Sequence, residues 1–156
     1  MSLWWSLHLR REAASVPLAR RLLLGTMENA GVDPDISFDL SIALTEACAN
    51  AVEHGAARTR SSQDAYRVTA YLDGEKCRIE VADSGPGFPR ATMERPAPHG
   101  YAPDADQEDQ ADHLEHGRGL GLIEELADHV SLANRDGAVL SFDKVLKFSN
   151  LSPAGV

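Results

Sequence analysis

Two cysteines in 156 residues are too few for a disulfide framework, and both fall inside regular elements. Cys48 and Cys77 therefore read as reduced thiols of a cytoplasmic protein without an export signal. Basic residues are also scarce. Fifteen Lys and Arg stand against 24 Asp and Glu, a formal net charge of -9, which argues against the basic patch a nucleic-acid surface needs. No run approaches the roughly 20 apolar residues of a membrane span. The opening MSLWWSLHL is too short for a signal peptide, has no basic residue ahead of it, and runs into Arg10 and Arg11. No internal repeat is present. What remains, at 43% hydrophobic and 25% charged, is a soluble globular chain of a length suited to one domain with one core.

Hydrophobic periodicity sets the elements. Leu3, Trp5, Leu7 and Leu9 alternate with polar or exposed-type neighbours and predict a first strand. Ser15-Val16-Pro17 reads as a helix start, with Ser15 as cap. Ala19, Leu22, Leu23, Met27 and Ala30 give that helix a buried stripe, and Gly31 ends it. Asp33-Pro34-Asp35 opens a second helix, which Gly55 closes. A polar loop from Ala56 to Asp64 leads to two strands, alternating at Val68-Ala70-Leu72 and Cys77-Ile79-Val81, with Asp73-Gly74 between them as a hairpin signal. A further helix runs through Ile123, Leu126 and Ala127. A closing hairpin turns at Asn134-Arg135-Asp136-Gly137 and returns through Ala138, Leu140 and Phe142. Strands with one dry face imply an antiparallel sheet covered by helices on one side.

Three stretches carry chemistry. The second helix contains Leu-Thr-Glu-Ala-Cys-Ala-Asn-Ala-Val-Glu-His, in which Glu46, Asn50 and His54 recur every fourth residue and form a slanting row beside the apolar face. A carboxylate can take a proton from a hydroxyl, and an amide oxygen is a hard ligand suited to magnesium. A solvated helix face carries such a row too. The second hairpin strand runs into Asp83-Ser84-Gly85-Pro86-Gly87, where glycines around a proline stop a strand and let a ligand approach the backbone; a tight turn needs the same residues. Gly117-Arg118-Gly119-Leu120-Gly121 opens the later helix, and exposed N–H groups at a helix N-terminus favour an anion. A helix cap with packing glycines is the plainer account. No Lys-Ser/Thr follows, so it is not a Walker loop, and no strand precedes it, so it is not a Rossmann turn.

Between the last two motifs, residues 88–116 hold four prolines and seven acids without periodicity, and are read as a mobile acidic lid. His113 and His116 with Asp109 and Asp112 match no strong zinc spacing. Residues 150–156 read as a loose tail after a single domain at 1–149.

Glu-x3-Asn-x3-His on a helix, Asp-x-Gly-x-Gly after a strand and Gly-x-Gly-x-Gly before a helix, in that order, resemble the Bergerat-type ATP site of DNA gyrase, sensor histidine kinases and anti-sigma serine kinases. The resemblance covers nearly the whole chain. It is strongest to the small anti-sigma regulatory factors, through the Glu46–His54 phrase, Gly-Arg-Gly-Leu-Gly-Leu-Ile and the Leu-x-Asp at Leu126 to Asp128. The length leaves no room for a histidine kinase's dimerisation hairpin or for the further domains of gyrase.

The resemblance implies an α+β sandwich, a mostly antiparallel mixed sheet with helices on one face. It implies ATP and Mg2+ as cofactors. Asn50 would hold the magnesium ion, and Glu46 would orient or accept the proton of an attacking hydroxyl. Asp83 would accept a hydrogen bond from the adenine amino group, with Gly85 and Gly87 giving the base access. Gly117, Gly119 and Gly121 would line the phosphates, with Arg118 adding positive charge. His54 is expected to stabilise its helix end. The expected activity is phosphorylation of a Ser or Thr on a STAS-type anti-anti-sigma partner, which controls release of a sigma factor. Arg20 would help dock these partners, and the protein would be a homodimer through the sheet. The alternatives are an anti-sigma module that acts by occlusion without chemistry, and a phosphatase or switch component with no sigma factor.

Overall fold

The computed structural model describes residues 2–54, 65–94 and 119–149. Five strands form one sheet: β1 (Leu3–Arg10), β2 (Ala65–Leu72), β3 (Lys76–Asp83), β4 (His129–Asn134) and β5 (Ala138–Val145). Their spatial order is β1-β2-β3-β5-β4, and all four pairings are antiparallel. Two long helices, α1 (Val16–Ala30) and α2 (Pro34–His54), pack against each other, and α2 lies on β2, β3 and β5. A single turn, α3 (Arg90–Met93), follows the loop after β3, and the described part of a further helix, α4, runs over 119–126. The fold is the α+β sandwich that the alternation of the strands implies.

The register carries the alternation across the sheet. Leu7 pairs with Val68, Val68 with Val81, Val81 with Leu140, and Leu132 with Leu140, so one apolar row crosses all five strands on the helix side. From α1 this row's neighbourhood receives Ala19, Leu23 and Met27, and from α2 it receives Leu40, Ala43, Leu44, Ala47, Cys48 and Ala51, all buried. Leu22, expected in the stripe of α1, is 40% exposed. The apolar stripe is narrower than the sequence suggests, because α1 meets α2 and β1 along one edge only.

The local starts and stops are built as follows. A short 3-10 turn at Ala13–Ser15 precedes α1. Ser15 does not cap α1 with its side chain; its hydroxyl donates to Glu12 O at 2.7 Å and shares a 2.6 Å hydrogen bond with the Tyr66 hydroxyl. Burial of that hydroxyl against β2 overrides the capping role. Gly31 ends α1 at φ +75, a left-handed conformation suited to glycine. Asp33 caps α2 by accepting from Asp35 N at 2.8 Å. The Trp5 indole donates to Thr26 Oγ1 at 3.0 Å and ties β1 to α1. In the β2–β3 turn Asp73 accepts from the N–H groups of Glu75 and Lys76.

Phe88 to Glu94 departs from the featureless lid read from the sequence. Thr92 and Met93 both donate to Pro89 O, and α3 forms there. The rest of the acidic stretch, with His113 and His116, lies outside the described residues, as do Gly55 to Asp64 and the tail from Asn150. The far end of α4 is well anchored: Lys144 Nζ donates to Leu126 O at 2.6 Å, and Val145 N to Asp128 Oδ2 at 2.6 Å. Among the described residues no helix is long and apolar enough to cross a membrane.

Cys48 and Cys77 are both buried free thiols, and burial pushes each from an ordinary 9.0 up to about 12. Burial also raises the Tyr66 phenol, from 10.0 to about 12. These groups must stay neutral inside and ionise more readily when the chain unfolds. Their contribution is complete below the unfolded value near 9 and is lost as the pH climbs toward 12. The urea midpoint should therefore fall between about pH 8 and about pH 11, and Cys48→Ala with Cys77→Ala should flatten the decline. A midpoint that holds steady or rises over that range would contradict the buried placement.

Candidate functional site

The polar row on α2 meets the opening of α4. Asn50 and Glu46 are half-buried at the helix surface, and Gly119, at the first described position of α4, is buried against them. A Cβ built on Gly119 would stand 3.3 Å from Asn50 Oδ1 and 3.5 Å from Glu46 Oε2. The first is tighter than ordinary van der Waals contact, so a side chain here would push on the Asn50 amide, while the second is ordinary contact. Gly119 of α4 is thus brought directly against two hard oxygen donors. Gly121 follows two residues later, half-buried.

Asp83 closes the other end. It continues the inward series Cys77, Ile79, Val81 by one more step of two, so its side chain stands on the helix side of the sheet. Its Oδ1 accepts from Gly85 N at 2.8 Å and from Ala138 N at 3.1 Å. The first bond holds the Asp-x-Gly turn. The second ties β3 to the start of β5. With Oδ1 so engaged, the second oxygen is left for a donor in the pocket.

Between Asn50 and Asp83 a small pocket opens under α2. Ala47 and Ala51 roof it, Val81 and Leu140 floor it, and Phe88 and Thr92 stand at its side. The side chains at 47 and 51 are methyl groups, which is why space remains between helix and sheet. The pocket is apolar with a carboxylate at one end and an amide at the other, a common make-up for a small-molecule site. A larger groove of about 800 Å3 lies elsewhere, along Leu24, Val32, Phe38 and Phe148, but it gathers none of the motif residues.

The β4–β5 turn, which the sequence offered only as a turn, brackets this end of the site. Gly137, at φ +145, lies so close to the backbone of Asp83 and Ser84 that a side chain there could not be accommodated. Asn134 Oδ1 accepts from Phe88 N at 2.8 Å, and Asn134 Nδ2 donates to Phe88 O at 3.1 Å. Gly87, at φ +88, faces the same amide, and a Cβ on it would stand 2.7 Å from Asn134 Oδ1. Its glycine is thus required twice, by conformation and by space.

Of the residues singled out in the sequence, Glu46, Asn50, Asp83, Gly85, Gly87 and Gly119 fall along one continuous strip from α4 to the β3 loop, while Gly121 is half-buried on α4. Arg20 does not; it is exposed on α1. Gly117 and Arg118 lie outside the described residues, and so does the side chain of His54. Asn134 and Gly137 were missed. Their only signal was a turn whose purpose depends on a loop 46 residues earlier in the chain.

A family model described as the histidine kinase-like ATPase domain matches residues 9–144. Among curated relatives, the serine-protein kinase RsbW of Staphylococcus aureus, in strains bovine RF122 / ET3-1 and MRSA252, is 31% identical over 137 residues, covering 86% of this chain and 82% of that protein. A solved structure of the RsbU and RsbW domains of Rv1364c from Mycobacterium tuberculosis matches 95% of this chain with a TM-score of 0.62 at 21% identity. This chain spans 34% of that one. A chain of the SiaB-SiaC complex from Pseudomonas aeruginosa matches 90% of this chain, and 88% of its own length, with a TM-score of 0.52 at 15% identity. At those identities the two structures show a shared fold.

Gly87→Ala should destabilise the protein by about 1–3 kcal/mol, the cost of a non-glycine residue held at positive φ. Gly74→Ala, where a Cβ meets nothing within 4 Å, should stay within about 0.5 kcal/mol of the parent. Urea unfolding of the pair checks this; equal midpoints would remove the constraint assigned to Gly87.

Proposed function

The chain belongs to the histidine kinase-like ATPase family, among the serine-protein kinases of the RsbW type, and is on that ground a protein serine/threonine kinase; we propose that it binds ATP with Mg2+ along the strip from Asp83 to Gly119 and phosphorylates a STAS-type anti-anti-sigma protein. The observation that supports this most is the meeting of Glu46 and Asn50 with Gly119 on α4. A phosphate chain needs backbone N–H groups and a hard metal ligand in one place, and that junction offers both.

The geometry supports the following roles. The pocket under α2 takes the adenine, and the Asp83 carboxylate, steadied by Gly85 N and Ala138 N, accepts from its exocyclic amine. In this reading Gly117, Gly119 and Gly121 line the phosphates and Arg118 adds positive charge. Asn50 supplies an amide oxygen to magnesium. The donor set fits that ion, since both nearby oxygens are hard and Gly119 leaves room for them. ATP supplies the phosphoryl group when bound. Glu46, one turn before Asn50, orients the acceptor hydroxyl and takes its proton. Phosphoryl transfer asks little more of a protein than this positioning and fixed charge.

In this reading the unphosphorylated anti-anti-sigma protein competes with a sigma factor for the kinase, and phosphorylation ends the competition. Arg20, exposed on α1, contributes to docking. Two copies pair through the outer face of the sheet, where Trp4 and Tyr71 stack with ring centroids 6.1 Å apart while remaining 62% and 55% exposed.

Glu46→Ala should reduce phosphoryl transfer from labelled ATP to the partner by about 100-fold or more, with ATP affinity changed by less than about threefold. Transfer at the parent rate would remove Glu46 from the role of base; no transfer by the parent either would leave occlusion as the mode of action. Asp83→Asn retains an oxygen for Gly85 N and Ala138 N but turns the free end of the side chain into a donor facing the adenine amine. It should weaken ATP by about tenfold or more in calorimetry, with the thermal midpoint little altered. Unchanged affinity would show that the base lies elsewhere.

A further inference from the structure

We propose that Asn134 is a positioning residue for the nucleotide: from β4 it holds the Gly87–Phe88 wall of the pocket in its binding conformation, and so sets nucleotide affinity without touching the nucleotide. The inference rests on the ATP reading above.

The side chain of Asn134 pairs with both the N–H and the C=O of Phe88, the way a neighbouring strand would. One residue thus fixes the peptide groups on either side of a loop position that no strand reaches. Phe88 lies where the chain leaves the Asp-x-Gly-x-Gly turn, and its neighbours Gly87, Pro89 and Thr92 line the pocket with it. The amide sits hard against Gly87, which has no side chain to interfere. The same hairpin fixes the other side of the turn, where Ala138 N holds Asp83 and Gly137 abuts the backbone of Asp83 and Ser84. Residues 83–88 are thereby held at both ends by residues 134–138.

Asn134 is itself exposed, so its side chain does nothing for the core. Its two hydrogen bonds compete with water, which keeps their net worth at the low end of the ordinary range. What they change is the number of conformations open to the wall. A wall already ordered before the nucleotide arrives costs nothing to order on binding, and a released wall must be ordered then. The effect of losing the pair should therefore appear in affinity, not in global stability.

The test compares the parent, Asn134→Ala and Arg135→Ala by calorimetry with Mg-ATP and with ADP, alongside thermal unfolding and amide exchange. Arg135 is exposed in the same turn, and the hydrogen bond there uses its backbone N–H, which alanine retains. For Asn134→Ala the expected result is a Kd for both nucleotides raised about tenfold, the size that two modest hydrogen bonds give. Amide exchange at Phe88 should accelerate, while Val81 and Leu140 in the sheet keep their protection and the thermal midpoint holds. Arg135→Ala should bind as the parent does. An unchanged or lower Kd for Asn134→Ala overturns the inference, with the ATP reading intact. So does a weakened affinity that comes with a lowered midpoint and faster exchange across the sheet, because that is a merely structural role. A parent that binds neither nucleotide overturns the ATP reading and this inference with it.

Discussion

Everything in this fold depends on how closely α2 can lie on the sheet. Ala43, Ala47 and Ala51 recur every fourth residue, so one face of the helix presents methyl groups only, each nearly or fully buried. Along this row the helix sets no long side chain toward the sheet, while Leu40, Leu44 and Cys48 beside it fill the core, and the alanines at 47 and 51 leave the small pocket beneath it. Larger residues would fill that space and move the helix outward. The polar row of Glu46 and Asn50 is carried into place by the same approach. Packing and chemistry therefore share one helix, and neither can be altered without the other.

The site joins two kinds of support. On the phosphate side, as proposed, the contacts are steric and short-range, with Gly119 against Asn50 and Glu46. On the adenine side they are hydrogen bonds between distant parts of the chain, with Asp83 serving both its own turn and the start of β5. The net charge of -9 adds a further constraint. An anionic ligand would meet a protein of its own sign, so in the proposed reading attraction is local, from backbone N–H groups, Arg118 and a metal ion, and not from the protein's overall field.

Much of this was legible in the sequence. Alternation gave each strand and its dry face, and Asp83 could have been placed on the helix side by counting two from Val81. The four-residue spacing gave the α2 row, and the glycine at 31 its helix end. The failures share a cause. Ser15 looked like a cap because its neighbours fit one, but its hydroxyl is used by Tyr66, 51 residues away. Leu22 looked like core because it is apolar at a stripe position, yet which flank of α1 is covered depends on where α2 and β1 stand. Phe88 looked like the start of a featureless stretch because its order comes from Asn134. Local pattern registers what a residue can do with its neighbours in sequence, and these three residues owe their roles to partners across the fold.

The bond from Ala138 N to Asp83 spans 55 residues. It is made by the last strand of the sheet to leave the ribosome, and β5 must insert between β3 and β4 to make it. Contacts of such sequence separation form late, since the loop must close before they repay its entropy. A nascent chain that has emerged only through α4 therefore carries the helix with Glu46 and Asn50 but has no fixed carboxylate and no bracketed wall. The order of synthesis delays the pocket until β5 has emerged, so a nascent chain that ends before β5 lacks the carboxylate brace and the bracketed wall.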